Sequence, residues 1–432
     1  MRAQRSDLYP WYVVGVLMLA NVSFWVDRQI LVLLIGPIQR DFGITKTQVS
    51  FLIGLPFAVL SALLTLPIAR MSDSGRRRPI LSIGVALWSI MTSLCGLAGS
   101  YTRLLFARVG VGVGEATLQP AAISLLADYF SRERLATATS VYSTTTFLGS
   151  GLAYLVGGWV VGIASTQAAW SVPLVGSVRP WQSVFLIVGI PGLLIALLML
   201  TVREPERRDR TRGTVSLREL FAYVRANGRT FLCVSLGFAL SATVNFGIAA
   251  WLVTFLIEKH GWTASRAGVV QGSLTMTIGM LGVVVGGRVS DLYVRRGAVD
   301  GPLRVGIIGA IGMLVSATAY PLAGSAAAAV AWLAVVNFFA AFPWGAASTA
   351  AAEAVPASMR AQGTALYFLV LNLFSVSLGP IVVALVADKV FGDSTAIASS
   401  LATVNLVGMT GAIAFLSLGR SAYRRTLATR DR

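Results

Sequence analysis

The sequence predicts an all-α membrane protein: twelve transmembrane helices in two pseudo-symmetric six-helix bundles, with both termini cytoplasmic. Three observations carry this expectation. Apolar runs of membrane-spanning length recur along the whole chain, basic residues are concentrated in alternate loops, and one loop motif appears twice. Of 432 residues, 56% are hydrophobic and only 12% charged, where a soluble protein carries about 25% charge. The 43 glycines sit in this apolar background, as is common in transmembrane helices.

A span needs roughly 20 mostly apolar residues. Six such runs fall near 11–36, 48–69, 79–99, 103–127, 135–163 and 181–202. Six more fall near 231–257, 265–287, 304–322, 326–352, 362–387 and 396–419. Met1 to Pro10 reads as a cytoplasmic tail rather than a cleaved signal, because the run from Trp11 is long enough to span. This divides the chain into an N-terminal bundle (1–202), a polar linker (203–230) and a C-terminal bundle (231–432). Within the linker, Leu217, Leu220, Phe221 and Val224 share a helical face, which predicts an interfacial helix.

Orientation follows from the basic residues. With the N-terminus inside, 26 Lys and Arg lie in cytoplasmic segments, 7 in external ones and 2 within spans, the positive-inside signature. The net charge of +17 is therefore distributed over short loops instead of lining a groove, which disfavours a nucleic-acid binder. Cys95 and Cys233 fall in apolar runs, without a disulfide framework or CxxC motif. The single histidine, His260, belongs to an external loop, so no deep nucleophile–base pair or metal cluster can be assembled. The chain has no P-loop, which disfavours ATP-driven transport. Neither a cofactor nor an enzymatic activity is expected.

The halves echo each other. The loop after the second span reads Ala69-x-x-x-Asp73-x-x-x-Arg77-Arg78, and the loop after the eighth reads Gly287-x-x-x-Asp291-x-x-x-Arg295-Arg296. Internal repeats of this kind are frequent in secondary transporters. The pattern resembles the cytoplasmic signature loop of the major facilitator superfamily, with Ala69 in place of its Gly and Ser74 in place of its basic residue. The resemblance implies a gating role for Asp73, Arg77, Arg78, Asp291, Arg295 and Arg296. The repeated Asp weighs against simple topogenic charge, since topology needs only the arginines.

Once loop charges are set aside, four ionisable groups remain within spans: Asp27 and Arg28 on the first, Arg108 and Glu115 on the fourth. Each costs roughly 2.5–3.5 kcal/mol at a helix centre, so they are expected to face the bundle interior and pair with one another. Asp27 lies about 13 Å from the outer end of its span, between Arg108 at about 8 Å and Glu115 at about 18 Å. Arg108 and Glu115 are two helical turns apart and share a face. Two readings stand: a structural quartet that fixes helix registry, or a proton-coupling site. In the second, opening and closing a cavity changes the hydration of a carboxyl and its distance from arginine, so its proton affinity differs between states.

Local words narrow the resemblance. Asn21-x-x-x-Trp25-Val26-Asp27-Arg28, Arg108-x-x-x-Gly112-Val113-Gly114-Glu115-Ala116, Gly149-Ser150-Gly151 with Tyr154 and Gly157-Gly158, and Tyr367-Phe368-x-x-x-Asn372-Leu373-Phe374 with Leu378-Gly379-Pro380 are similar to the spinster group. That resemblance implies carriage of lysophospholipid- or sphingosine-type lipids. It places proton coupling on Asp27 and Glu115, with Arg28 and Arg108 tuning those acids or meeting a phosphate. Mid-span polar and aromatic residues complete the candidate cavity: Tyr142, Phe147, Asn245, Phe246, Asn337, Phe338, Trp344, Tyr367 and Asn372. For each of these, helix packing competes with substrate contact.

The expected function is proton-coupled transport of an amphipathic lipid-like anion by alternating access, with proton symport of a small organic anion such as a sugar acid or aromatic acid as the alternative. A non-transporting receptor is the reading from another class. The expected partners are membrane lipid, protons and the substrate. The chain is expected to act as a monomer in a bacterial-type inner (plasma) membrane.

Overall fold

The computed structural model describes residues 2–54, 59–60, 63–64, 67–68, 71, 76–167, 169–172, 176–205, 217–356, 359–392 and 396–430. It is built almost wholly of helices. The first part of the chain forms α1 (Arg2–Leu33), α2 (Ile35–Phe42), α3 (Lys46–Ile53), α4 (Arg77–Cys95), α5 (Tyr101–Glu115), α6 (Leu118–Tyr129), α7 (Arg132–Ala164) and α8 (Pro180–Met199). It continues through α9 (Leu217–Ala226), α10 (Gly228–His260), α11 (Ala264–Leu274), α12 (Met280–Arg295), α13 (Gly301–Leu322), α14 (Ala326–Ala341), α15 (Trp344–Glu353), α16 (Arg360–Leu385) and α17 (Ile397–Arg430). Among the described residues, eleven helices are long and apolar enough to cross a membrane. The second span expected from sequence, 48–69, falls partly outside the described residues, and Asp73 and the linker stretch 206–216 lie wholly outside them.

Spans that look continuous in hydropathy are interrupted in the backbone, and proline explains where. A proline ring clashes with the carbonyl four residues before it and supplies no amide hydrogen. Pro37 stands four residues after Leu33, where α1 gives way to α2. Pro120 stands four after Ala116, between α5 and α6, and Pro343 stands between α14 and α15. The fourth and tenth spans, equivalent in the two halves, are therefore both broken. The eighth span is interrupted differently, by a π-helical turn at Thr275–Gly279.

The chain forms two compact units, Met1–Thr211 with Trp262–Met276 and Arg212–Gly261 with Thr277–Arg432. Within the first, α1 packs on α7 and α8, and α4 packs on α5 and α8. Within the second, α10 packs on α16 and α17, and α13 packs on α14 and α17. These are the same neighbours shifted by six spans, so the repeat is present in the packing as well as in the loop motif. It also appears in a turn. Gly43 (φ 63°) and Gly261 (φ 65°) adopt the left-handed conformation that glycine tolerates, each ending a helix. Two residues later Thr45 and Thr263 accept hydrogen bonds from the backbone amides of Gln48 and Arg266 and start the next helix.

Glycines on α7 make two seams. A Cβ at Gly149 or Gly157 would press on Trp25 or on Leu33 and Ile30 of α1. At Gly151 or Gly158 it would meet Met276 and Gly272 or Ser265 and Val269, so this face receives α11 and the start of the π-turn. A helix forms in the linker as α9, with Leu220 buried but Phe221 exposed. One element departs from the all-α expectation. Trp170–Val172 and Gly176–Val178 pair as an antiparallel hairpin between α7 and α8, in register Trp170↔Val178. Three-residue strands leave no readable alternation in sequence.

Close backbone approach makes α12 intolerant of side chains at two positions. Cβ atoms at Gly282 and Gly286 would overlap the carbonyl groups of Phe338 and Phe342. Gly286→Val is expected to cost about 1–3 kcal/mol by overpacking, read as a lower unfolding midpoint in detergent. The same substitution at Gly287, where a Cβ meets nothing within 4 Å, is expected to leave the midpoint near wild type.

Candidate functional site

The four deep charges converge within the first unit. Asp27, Arg108 and Glu115 are buried, and only Arg28 is partly accessible, with 20% of its side chain exposed. Arg28 Nε donates to Glu115 Oε2 at 3.0 Å and its guanidinium lies 4.4 Å from the Phe24 ring centroid. Arg108 is engaged differently. Its Nη1 donates to the backbone carbonyl of Asp27 at 3.2 Å and its Nε to that of Leu52 at 3.4 Å. It thus ties α5 to the backbones of α1 and α3 while its charge faces the Asp27 carboxylate. Asp27 Oδ1 and Glu115 Oε1 are both buried without a hydrogen-bond partner among the described residues. A buried acceptor left open is costly, and each is a place where a proton, water or substrate donor would be stabilised.

Local sequence explains this geometry. α5 ends at Glu115, and the break falls at Ala116, whose carbonyl stands four residues before the Pro120 ring. Gly114, next to it, backs onto Gly84 and Trp88, which brings α4 close. That approach adds groups from α4 which the sequence reading did not name. Cys95 lies within electrostatic range of Arg108 and Asp27, and Thr92 lies beside Asp27. Neither Thr92 Oγ1 nor Trp88 Nε1 has a partner among the described residues. A small or hydroxylated residue in an apolar run gives almost no signal by itself. One turn and a half toward the N-terminal end of α1, Asn21 donates to Thr145 Oγ1 of α7 and accepts from Gln119 of α6.

A second charge cluster locks the other end of this unit. Arg77, buried at the start of α4, donates to Glu204 Oε1 at 2.9 Å, to the Ser124 carbonyl at 3.0 Å and to Asp128 Oδ2. The Arg78 backbone amide donates to Glu204 Oε2 at 2.9 Å. Asp128 and Glu204 fall just past the apolar runs 103–127 and 181–202; the need of a buried arginine for counter-ions is the signal that points to them. In the second unit Asp291, Arg295 and Arg296 are exposed. The anchor there is Asp300, which is buried and holds Arg304 at 3.1 Å and Arg420 at 2.6 Å.

The second unit also contains an apolar pocket. Asn245, Phe246, Trp344 and Tyr367 line it, together with Phe339 and Phe368. Asn337, Phe338 and Asn372 are not among its lining residues. Asn337 donates to the Leu333 carbonyl on its own helix, Phe338 stacks edge-on with Phe339, and Asn372 is exposed on α16. Tyr142 is buried on α7 and Phe147 is half-buried there, both in the first unit. His260 is the last residue of α10, edge-on to Phe255. Among the described residues no group of three or more His, Cys, Asp or Glu side chains is placed to hold a metal ion.

Comparison with known proteins fits this architecture. The family described as Major Facilitator Superfamily matches residues 17–380. An MFS-type efflux pump of Mycolicibacterium smegmatis (strain ATCC 700084 / mc(2)155) is 28% identical, over 96% of this chain and 94% of its own. The probable galactarate/D-glucarate transporter of Bacillus subtilis (strain 168) is 24% identical over 68% of each. Among solved structures, a bacterial homologue of the human lysosomal transporter Spinster, in an inward-facing and unoccupied conformation, superposes with a TM-score of 0.79 at 27% identity. That match covers 98% of each chain.

The Arg77 cluster predicts an acid sensitivity of known sign. Burial raises the Glu204 pKa, but the Arg78 amide and the Arg77 guanidinium outweigh it and hold the carboxyl below its ordinary 4.5. Its stabilisation is thus complete above about pH 4.5 and is lost as pH falls through the lower folded value. Thermal unfolding followed from pH 7 to pH 3 is expected to show a midpoint that drops in this window, and Glu204→Gln should flatten that part of the profile. Arg77→Gln, which strands two acids, should cost about 3–5 kcal/mol at neutral pH.

Proposed function

The chain belongs to the Major Facilitator Superfamily, and from that premise we propose a proton-coupled secondary transporter that moves an amphipathic, lipid-like anion by alternating access, with twelve spans and both termini cytoplasmic. The two sequence-defined bundles, 1–202 and 231–432, are its moving halves, and Asp27 and Glu115 are its protonation sites. The single observation that carries the reading is the pair of buried carboxyl oxygens without partners, Asp27 Oδ1 and Glu115 Oε1, beside two arginines of unequal commitment.

That inequality supplies a mechanism. Arg108 is held by two backbone carbonyls and keeps helices together. Arg28 is held to a carboxylate and remains partly accessible. An anionic head group that reaches Arg28 competes with Glu115 for it. Glu115 deprived of its cation takes up a proton more readily, so anion binding and protonation reinforce each other through one side chain. By linkage the effect is reciprocal: protonation of Glu115 releases Arg28 for the anion. The gate residues of the resemblance, Asp73, Arg77, Arg78, Asp291, Arg295 and Arg296, then act on the rocking step rather than on recognition.

Two features support a lipid-like substrate: the likeness to the spinster homologue, and an aromatic pocket lined by Phe246, Phe339, Trp344 and Phe368. The charge and the apolar surface an amphipathic anion requires are carried by separate units. Symport of a sugar acid is the second reading, favoured by the relative from Bacillus subtilis. Transport into proteoliposomes under an imposed pH gradient separates them, with a lysophospholipid and a hexuronate as alternative substrates. Gradient-driven accumulation of the lysophospholipid but not the hexuronate is expected. Asp27→Asn and Glu115→Gln should each reduce it to the protein-free background while the protein still elutes as a monodisperse species. Normal accumulation by both variants would refute the proton-site assignment.

A further inference from the structure

The Asp300 cluster differs from its counterpart in the first unit in a way that creates a site. Asp300 precedes the first turn of α13 and is buried, with 1% of its side chain exposed. Three arginines close on it, and each does so through Nε: Arg304 at 3.1 Å, Arg420 at 2.6 Å and Arg424 at 3.7 Å. A guanidinium held at Nε keeps terminal N–H donors that the carboxylate does not take up. The Nη atoms of these three residues make no hydrogen bond among the described residues, and the side chains are 31–50% exposed. One carboxylate therefore gathers three partly exposed guanidiniums, leaving a local charge of about +2 and donors that Asp300 does not occupy, suited to a phosphate oxygen.

The surface adjoining these donors decides the source of the phosphate. Arg304, Ile311, Val315 and Leu322 are separated by 7, 11 and 18 residues, so they occupy one face of α13. Ile311, Val315 and Leu322 are exposed. Arg424 and Leu406 are 18 residues apart on α17, again on one face, and Leu406 is 52% exposed. α13 thus carries an arginine at the end of an apolar exposed stripe, and Arg424 of α17 stands beside it on Asp300. A soluble phosphate has no use for such stripes, whereas an acyl chain does.

We propose that Arg304, Arg420 and Arg424, ordered by Asp300, bind the phosphate of an anionic phospholipid whose acyl chain lies along the Ile311–Val315 stripe of α13. The site belongs to the second unit alone and is separate from the deep charge cluster. It requires that the chain sit in a membrane, but neither proton coupling nor a lipid substrate. The cluster retains charge beyond what Asp300 neutralises, and the interaction of each basic group near an anionic lipid surface is cumulative.

The test uses the full-length protein reconstituted in nanodiscs of phosphatidylcholine doped with phosphatidylglycerol, followed by native mass spectrometry of retained lipid. Wild-type protein should retain phosphatidylglycerol over phosphatidylcholine. Arg424→Gln leaves Asp300 its two closer partners, and should lower phosphatidylglycerol retention about fivefold. Arg304→Gln/Arg424→Gln should lower it about 30-fold. Retention of phosphatidylcholine should not change, which separates loss of the site from loss of the fold. Wild-type retention by both variants would overturn the proposal. So would displacement of the lipid by 10 mM-scale inorganic phosphate, which would assign the donors to a free anion. Since no substrate or pH gradient enters this experiment, its failure would leave the transport reading standing, and the converse holds too.

Discussion

A buried arginine and a buried carboxylate cost far less as neighbours than apart, and the contact between Arg28 and Glu115 is the constraint on which the first unit is built. Each group alone costs roughly 2.5–3.5 kcal/mol at a helix centre. Satisfying them fixes how far α5 may slide along α1 and which way each faces. The break after Glu115, the small residue at Gly114 and the proximity of α4 follow as conditions for that contact. Arg108 completes the constraint from the other direction. By donating to the carbonyls of Asp27 and Leu52 it ties α5 to backbone, which no change of protonation state removes. The cluster therefore contains a fixed element and an exchangeable one, and a device that must cycle needs both.

Much of this was legible in the sequence because burial of charge in an apolar run is a strong and local signal. Asp27, Arg28, Arg108 and Glu115 stood out by subtraction alone, and the structure brings them together. The spans were legible for the same reason, apart from their interruptions. Hydropathy averages over a window, whereas a proline ring acts on one carbonyl; Pro37, Pro120 and Pro343 were visible, but nothing in the average showed that each would split a helix. The glycine pairs on α7 announced close approach without naming the partner, and only the structure separates the α1-facing pair, Gly149 and Gly157, from the α11-facing pair, Gly151 and Gly158. Thr92 and Cys95 were illegible because their importance lies wholly in what a neighbouring helix carries. The pocket in the second unit illustrates the same limit. Asn245 and Asn372 are both polar residues in mid-span, yet one lines the pocket and the other is exposed on its helix.

The repeat shows where sequence similarity and structural equivalence part. By motif register Arg77 corresponds to Arg295, and both precede a span. Arg77 is buried among Asp128 and Glu204, while Arg295 is exposed. The helix carrying Arg295 runs on through the motif, and the next span starts only at Gly301. The residue that occupies the anchoring place is therefore Asp300, five positions later and of opposite charge, with arginines from the last span where the first unit uses an acid. The lock is conserved as a geometry, one buried ion at the entry of the third span of a half, and its polarity is inverted.

Inversion has a physical consequence that copying would not. A buried arginine surrounded by acids is a closed arrangement: Arg77 places its donors on Asp128, Glu204 and a carbonyl, and the local charge is near −1. A buried aspartate surrounded by arginines is open, because a carboxylate has too few lone pairs to occupy three guanidiniums. Excess donors must then face outward, at the end of helices whose exposed faces are apolar. The first arrangement stabilises itself, and the second, on the proposal above, is stabilised by anionic lipid. Two halves that began with the same topology thus differ in what each asks of the bilayer, and the difference comes down to which member of an ion pair was placed inside.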